Sequence, residues 1–324
     1  MKTLIVILGP TGIGKTELSL QVAEHLASPI INADSRQIYA EIPIGTAAPT
    51  RGQQARVKHF FVGTRSIDDY YSASMFEEDV MHTLHRLFLH SDTALMCGGS
   101  MMYIDAVCNG IDDIPTVDTL TRATMKQRLE TEGLAALLEQ LKALDYEHWK
   151  IVDHNNPRRV VHALEICTMT GKTYTSFRQH AVKPRPFRIV KIGLTLPRAT
   201  IYDRINRRVD AMMALGLEAE ARSVYPKRHL NALNTVGYKE MFEHFDGCTT
   251  LDEAVFKIKS ATRRYCRKQQ TWFKRDPSIQ WFSPCDIQEI INYIDETIVG
   301  ADRRDAPPIR ETTDYELLEK LSKP

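Results

Sequence analysis

The sequence predicts an α/β fold: a P-loop NTPase-like parallel sheet flanked by helices, interrupted by an all-helical insertion domain. Three observations carry this. The apolar run Leu4-Ile5-Val6-Ile7-Leu8 leads straight into Gly9, Pro10, Thr11, Gly12, Ile13, Gly14, Lys15 and Thr16, a complete phosphate-loop pattern between a strand and a helix. Short apolar strands then alternate with amphipathic helices, the rhythm of a parallel sheet. From about Val117 to Thr170 that rhythm gives way to helical periodicity alone.

Taken in order, the first strand delivers the loop, and a helix follows from Lys15 to about Ala27 with Leu18, Val22 and Leu26 on one face. Pro29 to Ala33 reads as a short buried strand with Asp34, Ser35, Arg36 and Gln37 at its carboxyl end. Strand carboxyl ends face the ligand crevice of an open α/β sheet, so Asp34 is expected beside the phosphate loop. A helix from about Ala73 to His90 buries Phe76, Val80, Leu84 and Leu87. The strand Thr93 to Cys97 ends in Gly98-Gly99-Ser100, and a helix through Met102, Ile104 and Val107 follows.

The helical block is closed by a Ser/Thr-rich break at Thr173 to Ser176 and by Pro184 and Pro186. A strand resumes over Ile189 to Leu196, followed by a helix carrying Arg204, Arg207 and Arg208 and helices from Gly216 and over Leu251 to Arg275. A strand at Ile279 to Phe282 and a helix from Asp286 to Ile298 close the fold. The expected organisation is therefore a core of residues 1–114 and 187–299, a helical insertion of residues 115–186, and a charged tail over 300–324.

Composition narrows the function less than the motifs do. The 324 residues are 43% hydrophobic and 26% charged with a net charge of +1, so any nucleic-acid surface must come from local clustering. The six cysteines are scattered with no Cys-x-x-Cys pair, which argues against a zinc site or a disulfide framework and suits a reducing cytosol. The apolar run after Met1 ends too soon for a signal peptide, and no stretch approaches a membrane span. A cytoplasmic, monomeric protein with no membrane partner is expected.

The loop glycines let successive N–H groups converge on a phosphate, Lys15 adds a positive charge, and Thr16 offers a hydroxyl to Mg²⁺. Asp34 has the chemistry of a general base, with a turn or N-cap aspartate as the alternative; as a base it serves phosphoryl or alkyl transfer alike. Arg204 and Arg208 share one helix face and can clamp a diphosphate, or form a solvated basic face. The densest basic run, Arg263 to Arg275, interleaves cations with Tyr265, Trp272 and Phe273, the composition of a helix that tracks a phosphate backbone and meets unstacked bases. Asn156-Pro157-Arg158-Arg159 is a second basic site at a helix start. No guanine-reading Asn/Thr-Lys-x-Asp, no Walker B Asp-Glu pair and no lid over a nucleotide base is found, so hydrolysis motors and GTPases fit poorly. A small-molecule kinase and an RNA-binding module with an idle phosphate loop remain as alternatives on these residues.

The phosphate loop, Ala33-Asp34-Ser35-Arg36-Gln37-Ile38-Tyr39, Ile44-Gly45-Thr46-Ala47, Gly98 to Tyr103, Asn156 to Arg159, Val236-Gly237-Tyr238-Lys239 and Gln270-Thr271-Trp272-Phe273-Lys274 together, in this order, resemble the bacterial tRNA dimethylallyltransferases. The resemblance spans roughly residues 5 to 282. It implies transfer of the dimethylallyl group of dimethylallyl diphosphate to the exocyclic amine of the adenosine next to the tRNA anticodon. The loop would then hold an isoprenoid diphosphate, with Lys15, Thr16, Mg²⁺ and Arg204 or Arg208 on the leaving group and Asp34 taking the amine proton. Asp34, Ser35, Arg36 and Gln37 would border the target base, with Ser100 and Arg122 at further tRNA contacts. The anticodon stem-loop would be held by Arg158, Arg159, Val160, Val161 and His162, by Asn234, Thr235, Val236, Gly237, Tyr238 and Lys239, and by Arg267, Lys268, Gln269, Gln270, Thr271, Trp272, Phe273 and Lys274. Ser100 replaces a usual threonine, His162 an arginine and Ala48 a lysine, changes at RNA contacts rather than at the chemistry.

Overall fold

The computed structural model describes residues 1–179 and 182–303, the side chains from 299 onward excepted; the charged tail beyond residue 303 lies outside the described residues. The chain forms two compact units, one of residues 1–108 and 185 onward, the other of residues 109–184.

The larger unit is built on a six-stranded, fully parallel sheet of order β3-β2-β4-β1-β5-β6. Its strands are β1 (Thr3–Leu8), β2 (Ile30–Ala33), β3 (His59–Phe60), β4 (Thr93–Gly98), β5 (Arg188–Leu194) and β6 (Ile279–Phe282). β1 is buried on both faces, as a central parallel strand must be: Leu4, Val6 and Leu8 enter one core cluster, Ile5 and Ile7 the other. In register, Leu8 of β1 pairs with Gly98 of β4, and Gly98 with Ala33 of β2. The carboxyl ends of β1, β4 and β2 therefore lie side by side. This juxtaposition brings the phosphate loop, the Gly98–Gly99 turn and Asp34 to one place, where strand order alone in the sequence leaves them far apart.

The helices of this unit are α1 (Lys15–His25), α2 (Arg51–Arg56), α3 (Ala73–Phe88), α4 (Met101–Asn109), α9 (Arg198–Ala214), α10 (Leu217–Val224), α11 (Tyr238–Phe245), α12 (Leu251–Phe273) and α13 (Ile287–Arg303). The smaller unit contributes α5 (Thr119–Leu144), α6 (Tyr146–Ile151), α7 (Pro157–Thr170) and α8 (Tyr174–Phe177). Its own core is Met125, Leu137, Leu141, Val152, Val160, Ala163 and Leu164. Gly133, at φ 79° and ψ 167°, breaks α5 into two helical runs.

Three details depart from the sequence reading. The Ser/Thr cluster at Thr173 to Ser176 is no break but the start of α8, because the Thr173 side chain accepts a hydrogen bond from the Ser176 N–H and caps it. α2 and β3 have too few residues to show a period, and α11 follows directly on Gly237, where the sequence reading marked only a site segment. No helix among the described residues is long and apolar enough to cross a membrane.

Candidate active site

The loop between β1 and α1 closes on itself. Gly12 and Gly14 adopt left-handed backbone, φ 81° and 107°, and a Cβ on Gly12 would sit 2.8 Å from Cγ1 of Ile205. Lys15 folds back, its Nζ donating to the carbonyls of Gly9 and Pro10 at 2.9 Å each. Burial of that ammonium lowers its pKa to about 8, against the support of the Cys97 thiol and Asp34.

Two arginines from α9 reach the same loop. Arg204 Nη1 donates to the Ile13 carbonyl at 2.9 Å, and Arg208 Nη2 donates to the Thr11 hydroxyl. Burial pulls the Arg208 guanidinium below its ordinary value, and its Nε is a buried donor with no partner. Two carboxylates line this region, but Glu17 is bound 3.1 Å from Arg56 and Asp34 is the one left near the cations. Desolvated cations and an unmatched N–H are the features of a site made for an anion.

Asp34 caps its turn with one carboxylate oxygen and leaves the other unengaged by the described residues. Its Oδ1 accepts from the N–H groups of Arg36 at 2.9 Å and Gln37 at 3.4 Å, a turn cap, while Oδ2 has no hydrogen-bond partner among the described residues. The turn is secured on every side. Ser35 N–H donates to Ser100 Oγ at 2.8 Å, Arg36 Nη1 to the carbonyls of Asn231 and Ala232, and Gln37 Nε2 to those of Thr46 and Ala47. Asp34 is thereby aimed by main-chain contacts rather than left to swing.

Two cavities meet here. One, of about 420 Å³, is lined by the phosphate loop with Lys15, Thr16, Arg204 and Arg208, and extends to Gln53 and His59. The other, of about 480 Å³, is lined by Ser35, Ser100, Asn234 to Gly237, Lys239, Arg264 and Lys268. Thr11, Asp34, Thr46, Arg208 and Tyr265 line both. Tyr265, from the sequence only an aromatic within a basic run, thus stands at the junction, its hydroxyl pushed up to about 12 by burial. The spacing of Arg264 and Lys268, four apart on α12, is the signal that would have put both on the second cavity.

The residues expected at tRNA divide into three groups. Arg158, Arg159, Lys239, Arg267, Lys268, Thr271 and Lys274 are exposed. Ser35, Arg36, Gln37, Arg122, Val161, His162, Asn234, Thr235, Val236, Gln270 and Trp272 are half-buried; Trp272 Nε1 donates to Asp105 at 2.8 Å and His162 Nδ1 lies 3.3 Å from Glu165. The third group is buried, although Ser100 and Gly237 still line the second cavity. Val160 and Phe273 are core residues, and Tyr238 is fully enclosed with its hydroxyl on Glu220. Gly237 has no side chain to offer, Ser100 is used on Ser35, and Gln269 is used on the phosphate loop. Arg122 and Arg158 to His162 belong to the helical unit, where Arg158 and Arg159 stand in the first turn of α7, capped by Asn156 and opened by Pro157.

Known proteins resemble the chain over nearly its whole length. Residues 37–276 match the family model described as IPP transferase. A protein of Phocaeicola vulgatus named tRNA dimethylallyltransferase 1 is 62% identical over 292 residues, covering 90% of this chain and 97% of that protein. Its counterpart of the same name in Bacteroides fragilis is 60% identical, over 92% of this chain and 99% of that protein. Among solved structures, the full-length tRNA isopentenylpyrophosphate transferase of Bacillus halodurans superposes with a TM-score of 0.69 at 32% identity, covering 94% of this chain and 99% of that one.

Proposed function

The chain belongs to the IPP transferase family, is a tRNA dimethylallyltransferase as its relatives are named, and, we propose, alkylates the exocyclic amine of the adenosine beside the anticodon with Asp34 as base. The observation that carries this reading is the position of Asp34 on both cavities, one bearing an anion cradle and the other a basic opening of about 480 Å³.

The diphosphate of dimethylallyl diphosphate enters the first cavity, against the loop N–H groups, Lys15, Arg208 and Arg204. The adenine, unstacked at a cost of a few kcal/mol, enters the second. The bond between C1 of the dimethylallyl group and the diphosphate oxygen breaks, its electron pair leaving with the diphosphate. The adenine nitrogen forms the new bond to C1, and its proton passes to Oδ2 of Asp34. Because Lys15 and Arg208 are already desolvated beside the loop, they meet the growing negative charge with little solvent to reorganise. The Tyr265 ring lines both cavities where they meet, beside the reacting groups.

Mg²⁺ fits the donor set. The Thr16 hydroxyl is a hard oxygen donor on the first cavity, and the described residues contain no group of three or more His, Cys, Asp or Glu side chains that would close a protein cage. That pattern suits an ion that keeps its waters and takes its remaining ligands from substrate phosphate. Thr16 would hold it, and bound there it supplies further positive charge to the leaving diphosphate. Arg122, Arg158, Arg159 and His162 on the helical unit supply donors for the anticodon stem-loop.

The test is to incubate the protein with dimethylallyl diphosphate labelled in the allyl group and unmodified tRNA. Label is expected in the RNA at the adenosine beside the anticodon. Phosphate transfer from ATP to a small molecule, with no label in RNA, would overturn the reading.

A further inference from the structure

We propose that Gln269 is a positioning residue of the phosphate cradle and not an RNA contact. The Gln269 side chain is 2% exposed although it sits in the most basic stretch of the chain. Its Oε1 accepts the Thr11 main-chain N–H at 2.9 Å, and its Nε2 donates to the Gly99 carbonyl at 2.8 Å. One amide thus ties α12 to the loop after β1 and to the turn after β4.

The consequence is geometric. With its N–H held by Gln269 and its hydroxyl held by Arg208, Thr11 is fixed at its main-chain N–H and its side-chain hydroxyl. Its N–H is already engaged by Gln269, so the diphosphate seat begins at Gly12. Gly99 completes the arrangement: a Cβ there would lie 2.7 Å from Gln269 Nε2 and 3.2 Å from the Gly9 carbonyl. An aliphatic side chain at 269 would leave the Thr11 N–H and the Gly99 carbonyl buried and unpaired, and the loop would turn toward other partners. Lys268, the preceding residue, is exposed and lines the second cavity, so one helix presents its RNA-side cation and its cradle-side amide at adjacent positions on different faces.

This rests on the diphosphate occupying the loop, and the experiment separates the two claims. Binding of inorganic pyrophosphate with Mg²⁺ and binding of unmodified tRNA are measured by calorimetry for the wild type, Gln269→Met, Gln269→Asn and Lys268→Ala. Gln269→Met is expected to weaken pyrophosphate binding about tenfold or more and to raise KM for dimethylallyl diphosphate in parallel, with tRNA affinity within about twofold. Gln269→Asn keeps the amide but is one methylene too short to span both partners; it should show the same split to a smaller degree and serves if the Met variant does not fold. Lys268→Ala should show the reverse split. Loss of tRNA affinity in the Gln269 variants with pyrophosphate binding intact would return Gln269 to the RNA. No change in either would make it a mere core amide. A wild type that transfers no dimethylallyl group yet binds pyrophosphate in a Gln269-dependent way would overturn the proposed reaction and leave this assignment standing.

Discussion

Lys15 offers the sharpest test of how the cradle works. Its ordinary pKa of 10.5 falls to about 8 because burial strips the ammonium of water, although it still donates to the Gly9 and Pro10 carbonyls. A diphosphate binds the charged form, so affinity should decline as pH rises through 8. Between pH 7 and pH 9 the charged fraction falls about tenfold, and affinity with it, about 1.4 kcal/mol. Folding stability moves the opposite way. The depressed pKa means that the folded protein holds a costly charge below pH 8, about 3 kcal/mol relative to the solvated lysine of the unfolded chain. That cost is relieved as pH climbs from 8 to 10.5, where the unfolded chain binds more protons than the folded one. Calorimetric titration with inorganic pyrophosphate at pH 7, 8 and 9, in buffers of different ionisation enthalpy, reads both affinity and proton uptake. Lys15→Arg stays charged throughout, and pyrophosphate's own titration is common to both proteins. The wild type should lose about tenfold more affinity than Lys15→Arg over this range and take up close to one more proton at pH 9. Identical profiles for the two proteins would refute the reasoning.

Three further substitutions address the surroundings. Asp34→Asn keeps an oxygen for the Arg36 and Gln37 N–H groups but no basic carboxylate, so kcat should fall about 10²- to 10⁴-fold with tRNA affinity nearly unchanged; near-normal turnover in Asp34→Asn with loss only in Asp34→Ala would make Asp34 a turn residue. Gly45→Ala would put a Cβ 2.4 Å from the hydroxyl of fully buried Tyr238, beside the N–H groups of Ile44 and Gly45 that donate to Glu220 at 2.8 Å. Urea denaturation should show about 1–3 kcal/mol lost, and kcat/KM should drop because Thr46 lines both cavities; unaltered stability would mean that the loop yields freely. Arg185→Met removes the cation 2.7 Å from Glu77, both side chains being 8% exposed, together with donors to the Ala106 and Val107 carbonyls. A loss of about 3–5 kcal/mol by thermal or denaturant unfolding is expected, with partial recovery in Glu77→Leu/Arg185→Met; a single-variant loss under about 1 kcal/mol contradicts it.

Much of the fold was legible because its signals are local. The strand, loop and helix from Thr3 to His25 are contiguous, and each glycine, Lys15 and Thr16 acts within a few residues of its neighbours. The apolar periods of α3 and α7 likewise report their own buried faces. Even Gln269 left a trace: it falls on the α12 stripe of Ala254, Ile258, Thr262, Cys266 and Phe273, all buried. The charge density of the run from Arg263 to Arg275 masks that period for Gln269 and Phe273, whereas Tyr238 is placed at RNA only by the family resemblance.

What the amino-acid sequence by itself determined is the kind of chemistry: a phosphate cradle with a carboxylate at a strand end and basic helices to meet a polyanion. Only the tertiary structure decided which of those groups share a site. Strand order sets β4 between β1 and β2 and so brings Asp34 to the loop. Packing of α9 and α12 delivers Arg208 and Gln269 to Thr11 across 197 and 258 residues. Contacts at such separations are chosen by which faces of distant elements fit together, and no local pattern of residue types encodes that choice.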